Sequence, residues 1–167
     1  GEKIPPMSPG LLKKFRESLF EIFNNAVIHS KTKYGIFSCG QYFHKQRHLN
    51  FTITDLGIGF HQNIVQSLKE EMSPAEAICW AMEGRNNTKK GCIPGGLGLK
   101  LLQDFIKLNK GKLQICSDMG FWELSEGQVT IRQFDAPFPG TVVNIQINTA
   151  DNQSYCLSSE INPDAIF

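Results

Sequence analysis

No stretch of this sequence is apolar for long enough to cross a bilayer, and its N-terminus carries no signal-peptide pattern. Neither membrane insertion nor secretion is therefore expected. Cysteine is sparse and unpatterned: Cys39, Cys79, Cys92, Cys116 and Cys156 are scattered, odd in number and without a Cys-x-x-Cys pair. This argues against a disulfide framework or a structural zinc site and favours a reducing, cytoplasmic setting. Charge of one sign is lacking too. The formal net charge is +1, which gives no global field for nucleic acid or an anionic membrane. The short basic cluster His44-Lys45-Gln46-Arg47-His48 reads as a solvated hairpin tip. Two familiar phosphate-binding signatures are missing. There is no Gly-x-x-x-x-Gly-Lys-Ser/Thr, hence no P-loop, and no Gly-x-Gly-x-x-Gly after the first strand, hence no Rossmann fingerprint. Neither an internal repeat nor a low-complexity segment is present.

What remains is an ordinary globular composition, 41% hydrophobic and 20% charged over 167 residues, enough for one domain with a substantial core. Pro5, Pro6, Pro9 and Gly10 make residues 1–10 an extended lead-in. Gly1 without a preceding Met is consistent with a natural chain that extends upstream. A helix is expected from about residue 11, with Leu12, Phe15, Leu19, Phe23 and Ala26 on its apolar stripe. The period then changes, and residues 34–43 and 49–54 read as two strands. In the second, Leu49, Phe51 and Ile53 alternate with polar residues, and Asp55 continues the apolar parity onto the buried face.

Ser73-Pro74-Ala75-Glu76 is a capping box with proline at the first helical position; Ile78, Ala81 and Met82 pack that helix and Gly84 stops it. Gly95-Gly96-Leu97-Gly98 opens a third expected helix, with Leu97, Leu101, Phe105 and Leu108 on its core face and Gly111 at its end. The last third reads as β: a strand through Leu113 and Ile115, a hairpin over 121–124 and 129–134, and a closing strand over 141–149. Thr141 there shares parity with the inward Val143, Ile145 and Ile147. Residues 150–167 read as a polar tail.

Three constellations carry chemistry. Glu21, Asn25 and His29 stand at i, i+4 and i+8, a polar line expected opposite the apolar stripe. Alone, such a line is a solvated face. Asn25 is a poor helix former, and its amide oxygen between a carboxylate and an imidazole could ligate a hard cation. An inward Asp55 needs a donor, for which an adenine amino group would serve, while Gly57 and Gly59 would let a flat ring approach the backbone. Read alone, Asp-Leu-Gly-Ile-Gly is a turn leaving a strand. Gly95-Gly96-Leu97-Gly98 offers free amides and a positive dipole end to an anion, or else a hinge before a helix. The preceding segment with Arg85, Lys89 and Lys90 reads as a basic loop over a terminal phosphate, or as a solvated charged loop.

In combination, Glu21-x-x-x-Asn25-Ala-x-x-His29, Asp55-x-Gly57-x-Gly59 and Gly96-x-Gly98-Leu99 resemble the GHKL family of ATP-binding domains across residues 11–149. That family includes DNA gyrase, the heat-shock chaperone, mismatch-repair ATPases, sensor histidine kinases and anti-sigma-factor serine kinases. The resemblance implies a two-layer α/β sandwich (the Bergerat fold), with a mixed, mostly antiparallel sheet and helices on one face. It further implies that Asn25 holds Mg²⁺, Asp55 the adenine amine, and Gly57 and Gly59 the adenine slot. Gly96, Leu97 and Gly98 would face the phosphates, Thr88 and Lys89 resemble the lid of some sensor kinases, Thr141 assists adenine recognition, and Glu21 is the general base. His29 matches a histidine of the anti-sigma kinases.

The implied organisation is a lead-in (1–10), the ATP-binding domain (11–149) and a tail (150–167). The pattern departs at Pro94, where many histidine kinases have the first glycine of the phosphate box. No histidine-bearing dimerisation hairpin precedes the first helix and no transducer domain follows the sheet. The expected function is an ATP-dependent protein kinase acting on a separate protein. Two alternatives stay open: the catalytic fragment of a larger sensor histidine kinase, and a nucleotide-gated binding module without phosphoryl transfer. The expected partners are ATP and a protein substrate or regulator, with a homodimer left open and no nucleic acid.

Overall fold

Ser8 starts the first element, its hydroxyl accepting the Leu11 amide at 3.1 Å, with Pro9 at the first helical position. The computed structural model describes residues 4–83 and 96–161. In it helix α1 (Pro9–His29) buries Leu11, Phe15, Ser18, Ile22 and Ala26. This stripe is rotated from the expected one: Leu12 and Leu19 are half-buried and Phe23 is exposed. Residues 21, 25 and 29 therefore flank the buried stripe at 22 and 26 and do not stand opposite it. One step of about 100° separates neighbours on a helix, so the polar line borders the core.

Strands β1 (Ile36–Phe43) and β2 (His48–Asp55) form the expected hairpin, with Phe43 opposite His48. Helix α2 (Gly59–Leu68) then covers a stretch to which the sequence pattern assigns no element, and its buried residues are Gly59 and Ile64. Helix α3 (Pro74–Met82) carries the expected capping box. Ser73 Oγ accepts from the Glu76 amide at 3.2 Å and Glu76 Oε2 from the Ser73 amide at 2.6 Å. Helix α4 (Gly96–Asn109) buries Leu99, Leu102, Phe105 and Ile106. Leu108, expected in the core, is 65% exposed because α4 meets both α1 and the sheet and presents a face rotated from the expected one.

Strands β3 (Lys112–Ser125) and β4 (Gln128–Asn148) complete a four-stranded sheet in the order β1-β2-β4-β3, antiparallel at every pairing. The fold is thus a two-layer α/β sandwich with the helices against one face. β3 doubles back on itself. Gln114 Nε2 donates to Glu123 Oε2 at 2.6 Å, whereas nine extended residues would separate them by roughly 30 Å. The reversal falls where the register breaks between Ser117 and Gly120 and Asp118 has φ +53°. The other sheet face is polar, crossed by bonds from Thr52 to Asn144 (2.8 Å) and from Asn144 to Gln114 (2.9 Å). One packed and one polar face account for the clean alternation along the strands.

The segment after β4 returns to the core. Tyr155 is buried, its ring edge-on to Phe105 at 5.3 Å, and Phe105 meets Phe15 at 5.2 Å. Its backbone holds the N-terminal lead-in: Ser8 N donates to Tyr155 O (2.8 Å) and Tyr155 N to Pro6 O (2.9 Å). Among the described residues no helix is long and apolar enough to cross a membrane.

Candidate functional site

Asp55 ends β2 on the helix-facing side, directly between Ile36 of β1 and Thr141 of β4. Thr141 in turn stands opposite Ser117 of β3, so three polar side chains form a row across three strands. Above this row runs a cleft. Its walls are Asn25, Ala26 and His29 of α1 with the C-cap residue Ser30, Phe60 and Asn63 of α2, and Leu99 of α4, and its floor includes Ile53, Asp55, Thr141 and Val143. The sequence separations are large, and the sheet register together with the α1 crossing brings these residues into one place.

Asp55 is only 3% exposed, and burial pushes its carboxyl above the usual carboxylate range. The amides of Gly57 and Thr141 pull the other way; Gly57 N donates to Asp55 Oδ1 at 2.8 Å. The Asp-x-Gly turn is thereby closed by its own aspartate. A Cβ on Gly57 would stand 1.9 Å from the Ser30 carbonyl oxygen, which also accepts the Ile58 amide at 2.7 Å. Gly57 is thus needed for the turn to dock on the end of α1. Gly59 (φ +75°) and Gly140 (φ +101°) have no room for a side chain either, facing Ser117 Oγ and the Asp55 carbonyl.

Asn25 and His29 border the cleft, and burial holds the His29 imidazole below its usual value. Glu21, on the same line, is placed differently. Its Oε2 accepts from the Gly98 amide at 3.1 Å in the seam between α1 and α4. This seam opens into a separate groove lined also by Leu101, Phe105 and Leu157. Oε1 is buried without a hydrogen-bond partner among the described residues, and burial pushes the carboxyl up despite the Gly98 bond. The free amide expected to meet an anion at the start of α4 meets the protein's own carboxylate.

No protein-family model matches the chain, and comparison with curated proteins finds no match.

Of the expected site residues, Asn25, His29, Asp55, Gly59 and Thr141 line one cleft, while Gly57 shapes its turn. Glu21 and Gly98 form the neighbouring seam. Gly96 and Leu97 begin α4. Thr88 and Lys89 lie outside the described residues. The sequence reading missed Ser30, Phe60, Asn63 and Ser117. Ser117 was within reach, since it shares parity with Leu113 and Ile115; Asn63 was not, because α2 itself went unread. Among the described residues no group of three or more His, Cys, Asp or Glu side chains converges as a metal site. A cation here would have to draw most of its coordination from a ligand's own oxygens, with Asn25 supplying one more.

Proposed function

We propose that this chain is a GHKL-type ATP-binding domain that transfers the γ-phosphoryl group of ATP to a partner protein. The observation that carries the reading is the convergence of Asn25, His29, Asp55 and Thr141 on one cleft, with a buried carboxylate on its floor and a glycine-built turn at its edge. A buried carboxylate facing a cleft keeps lone pairs beyond those used by the Gly57 and Thr141 amides and can accept from a ligand, and the amino edge of a purine supplies such a donor. Apolar Ile53, Phe60 and Val143 suit the faces of a flat ring.

In this reading Asp55 orients the base and Thr141 supplements it. Asn25 would hold Mg²⁺ through its amide oxygen, with phosphate oxygens and waters as the other ligands usual for Mg²⁺ at nucleotide sites. The ion, when bound, neutralises phosphate charge. Glu21, one helical turn from Asn25, is the proton acceptor for the incoming hydroxyl. Its elevated proton affinity suits a base that must be ionised yet still take up a proton.

The placement of Glu21 favours a second reading. Its carboxylate bonds Gly98 and opens to the neighbouring groove, as it would in a nucleotide-gated module without phosphoryl transfer. Calorimetry with ATP, with and without Mg²⁺, tests binding. Incubation with γ-labelled ATP and candidate partner proteins then separates the two. Acid-stable label on a serine supports the kinase, base-stable label on a histidine the sensor-kinase branch, and tight binding without transfer the module.

A further inference from the structure

Ser117 is fully buried, lies outside every motif named above, and touches three polar groups. Its Oγ accepts from the Phe60 amide at 2.8 Å, and stands 3.1 Å from the Gly140 carbonyl oxygen and 3.1 Å from Thr141 Oγ1. A serine hydroxyl has one proton, and a carbonyl oxygen has none to give. If Ser117 donated to Thr141, its own oxygen and that of Gly140 would face each other without a proton between them, an unpaired contact in a fully buried place. The arrangement that satisfies every group is unique. Ser117 donates to Gly140, and Thr141 donates to Ser117.

The Thr141 proton is therefore directed away from the cleft, leaving lone pairs on the cleft side. Asp55, opposite Thr141 in the register, is an acceptor as well. We infer that Ser117, without touching ligand, fixes the hydrogen-bonding polarity of the cleft floor as acceptor-only and so selects a purine with its donor at position 6. The inference rests on the proposed nucleotide site and makes Ser117 a positioning residue for its specificity. A 6-amino purine meets this floor with a donor. A 6-oxo purine places a lone pair at position 6 and moves its donor to ring N1, so where Asp55 and Thr141 face position 6 it is rejected.

The test uses calorimetry with ATP and inosine triphosphate, which carries a ring carbonyl in place of the amino group. Wild type should prefer ATP. Ser117→Ala frees the Thr141 hydroxyl to turn and donate, so the preference should narrow by about 3- to 10-fold, the size of one ordinary hydrogen bond. In a Thr141→Val background the same substitution should leave the ratio unchanged, a result that a general packing defect would not give. Should Ser117→Ala fail to fold, Ser117→Cys, whose thiol donates and accepts only weakly, should narrow the ratio in the same direction. An unchanged or wider ratio with ATP still bound, or an equal effect without the Thr141 hydroxyl, overturns the role of Ser117 and leaves the nucleotide site standing. Binding of neither nucleotide by wild type overturns both.

Discussion

Asp55→Asn should move binding and stability in opposite directions. The side chains are nearly isosteric, and the amide oxygen of asparagine keeps the bond that Asp55 Oδ1 accepts from the Gly57 amide at 2.8 Å. What changes is the cleft-facing atom, from an acceptor to a donor. Against an adenine amine this sets donor against donor, at a cost of about 1–3 kcal/mol, or roughly 5- to 150-fold in ATP affinity. Stability responds to the charge instead. Burial raises the folded-state pKa of Asp55 above its unfolded value. Between those two values the folded protein holds the extra proton, so stability falls as pH rises through the window, and above the folded pKa the full cost of the buried charge applies. Asparagine carries no such cost, although its single amide oxygen must then serve both the Gly57 and the Thr141 amides, which trims the gain. At neutral pH the variant should gain about 0.5–2 kcal/mol, the range common for relieving a functional site, or about 1–8 °C in Tm. Below the unfolded pKa the two proteins should converge, because aspartate is then neutral as well. Calorimetry with ATP and thermal unfolding at neutral and acid pH measure both halves. Unchanged ATP affinity would refute the adenine assignment; a variant less stable than wild type at neutral pH would refute the burial argument.

Three further outcomes follow from contacts already described. Gly57→Ala forces a methyl against the Ser30 backbone at 1.9 Å and should cost about 1–3 kcal/mol, read as a lowered Tm together with loss of nucleotide binding. Asn109 is fully buried, accepts from the Asn148 amide at 2.7 Å and donates to the Asn148 carbonyl at 3.0 Å, so Asn109→Ala should lower unfolding free energy by about 1–3 kcal/mol in denaturant titration while ATP affinity holds. Glu21→Ala should keep ATP affinity yet lower phosphoryl transfer by about 10²–10⁴-fold, and wild-type turnover should fall as acid protonates a Glu21 whose pKa burial has raised; transfer at the wild-type rate in the variant would make Glu21 a structural residue only.

The floor of the cleft was legible in the sequence because strand parity has only two answers. Asp55 follows Ile53, and Thr141 precedes Val143, so each is inward once its strand is recognised. Helix faces were harder, because several faces of one helix can be apolar. Leucines at 97, 99, 101, 102 and 108 offer more than one stripe on α4, and the packing partners select the one through Leu99, Leu102 and Ile106. α2 was hidden by its own opening. Gly57 and Gly59 signal a turn, and His61, Gln62 and Asn63 dilute the spacing of Phe60, Ile64 and Leu68. Tyr155 was overlooked because one buried aromatic in a polar stretch has no period to reveal it, although it ties the chain's two end segments together.

Glu21 and Asn25 show how neighbours in a helix come to face different environments. One turn apart on α1, they are divided by the start of α4, whose Gly98 amide takes the carboxylate while the amide side chain borders the cleft. On the kinase reading, Glu21 must exchange that bond for a hydroxyl. A hydrogen bond to a charged group is worth about 1.5–3 kcal/mol net, and the incoming hydroxyl recovers part of it. A general base that accelerates transfer by about 10²–10⁴-fold contributes about 2.7–5.4 kcal/mol to the transition state. The bond to Gly98 is the smaller quantity over most of that range. Oε1 is buried without a partner among the described residues, so the carboxylate must turn before a hydroxyl can reach it, and that unpaired oxygen gains a bond when it does. Holding by Gly98 is thus compatible with a working base: it fixes the carboxylate beside the start of α4, at a cost that general-base catalysis offsets when the carboxylate turns to the hydroxyl.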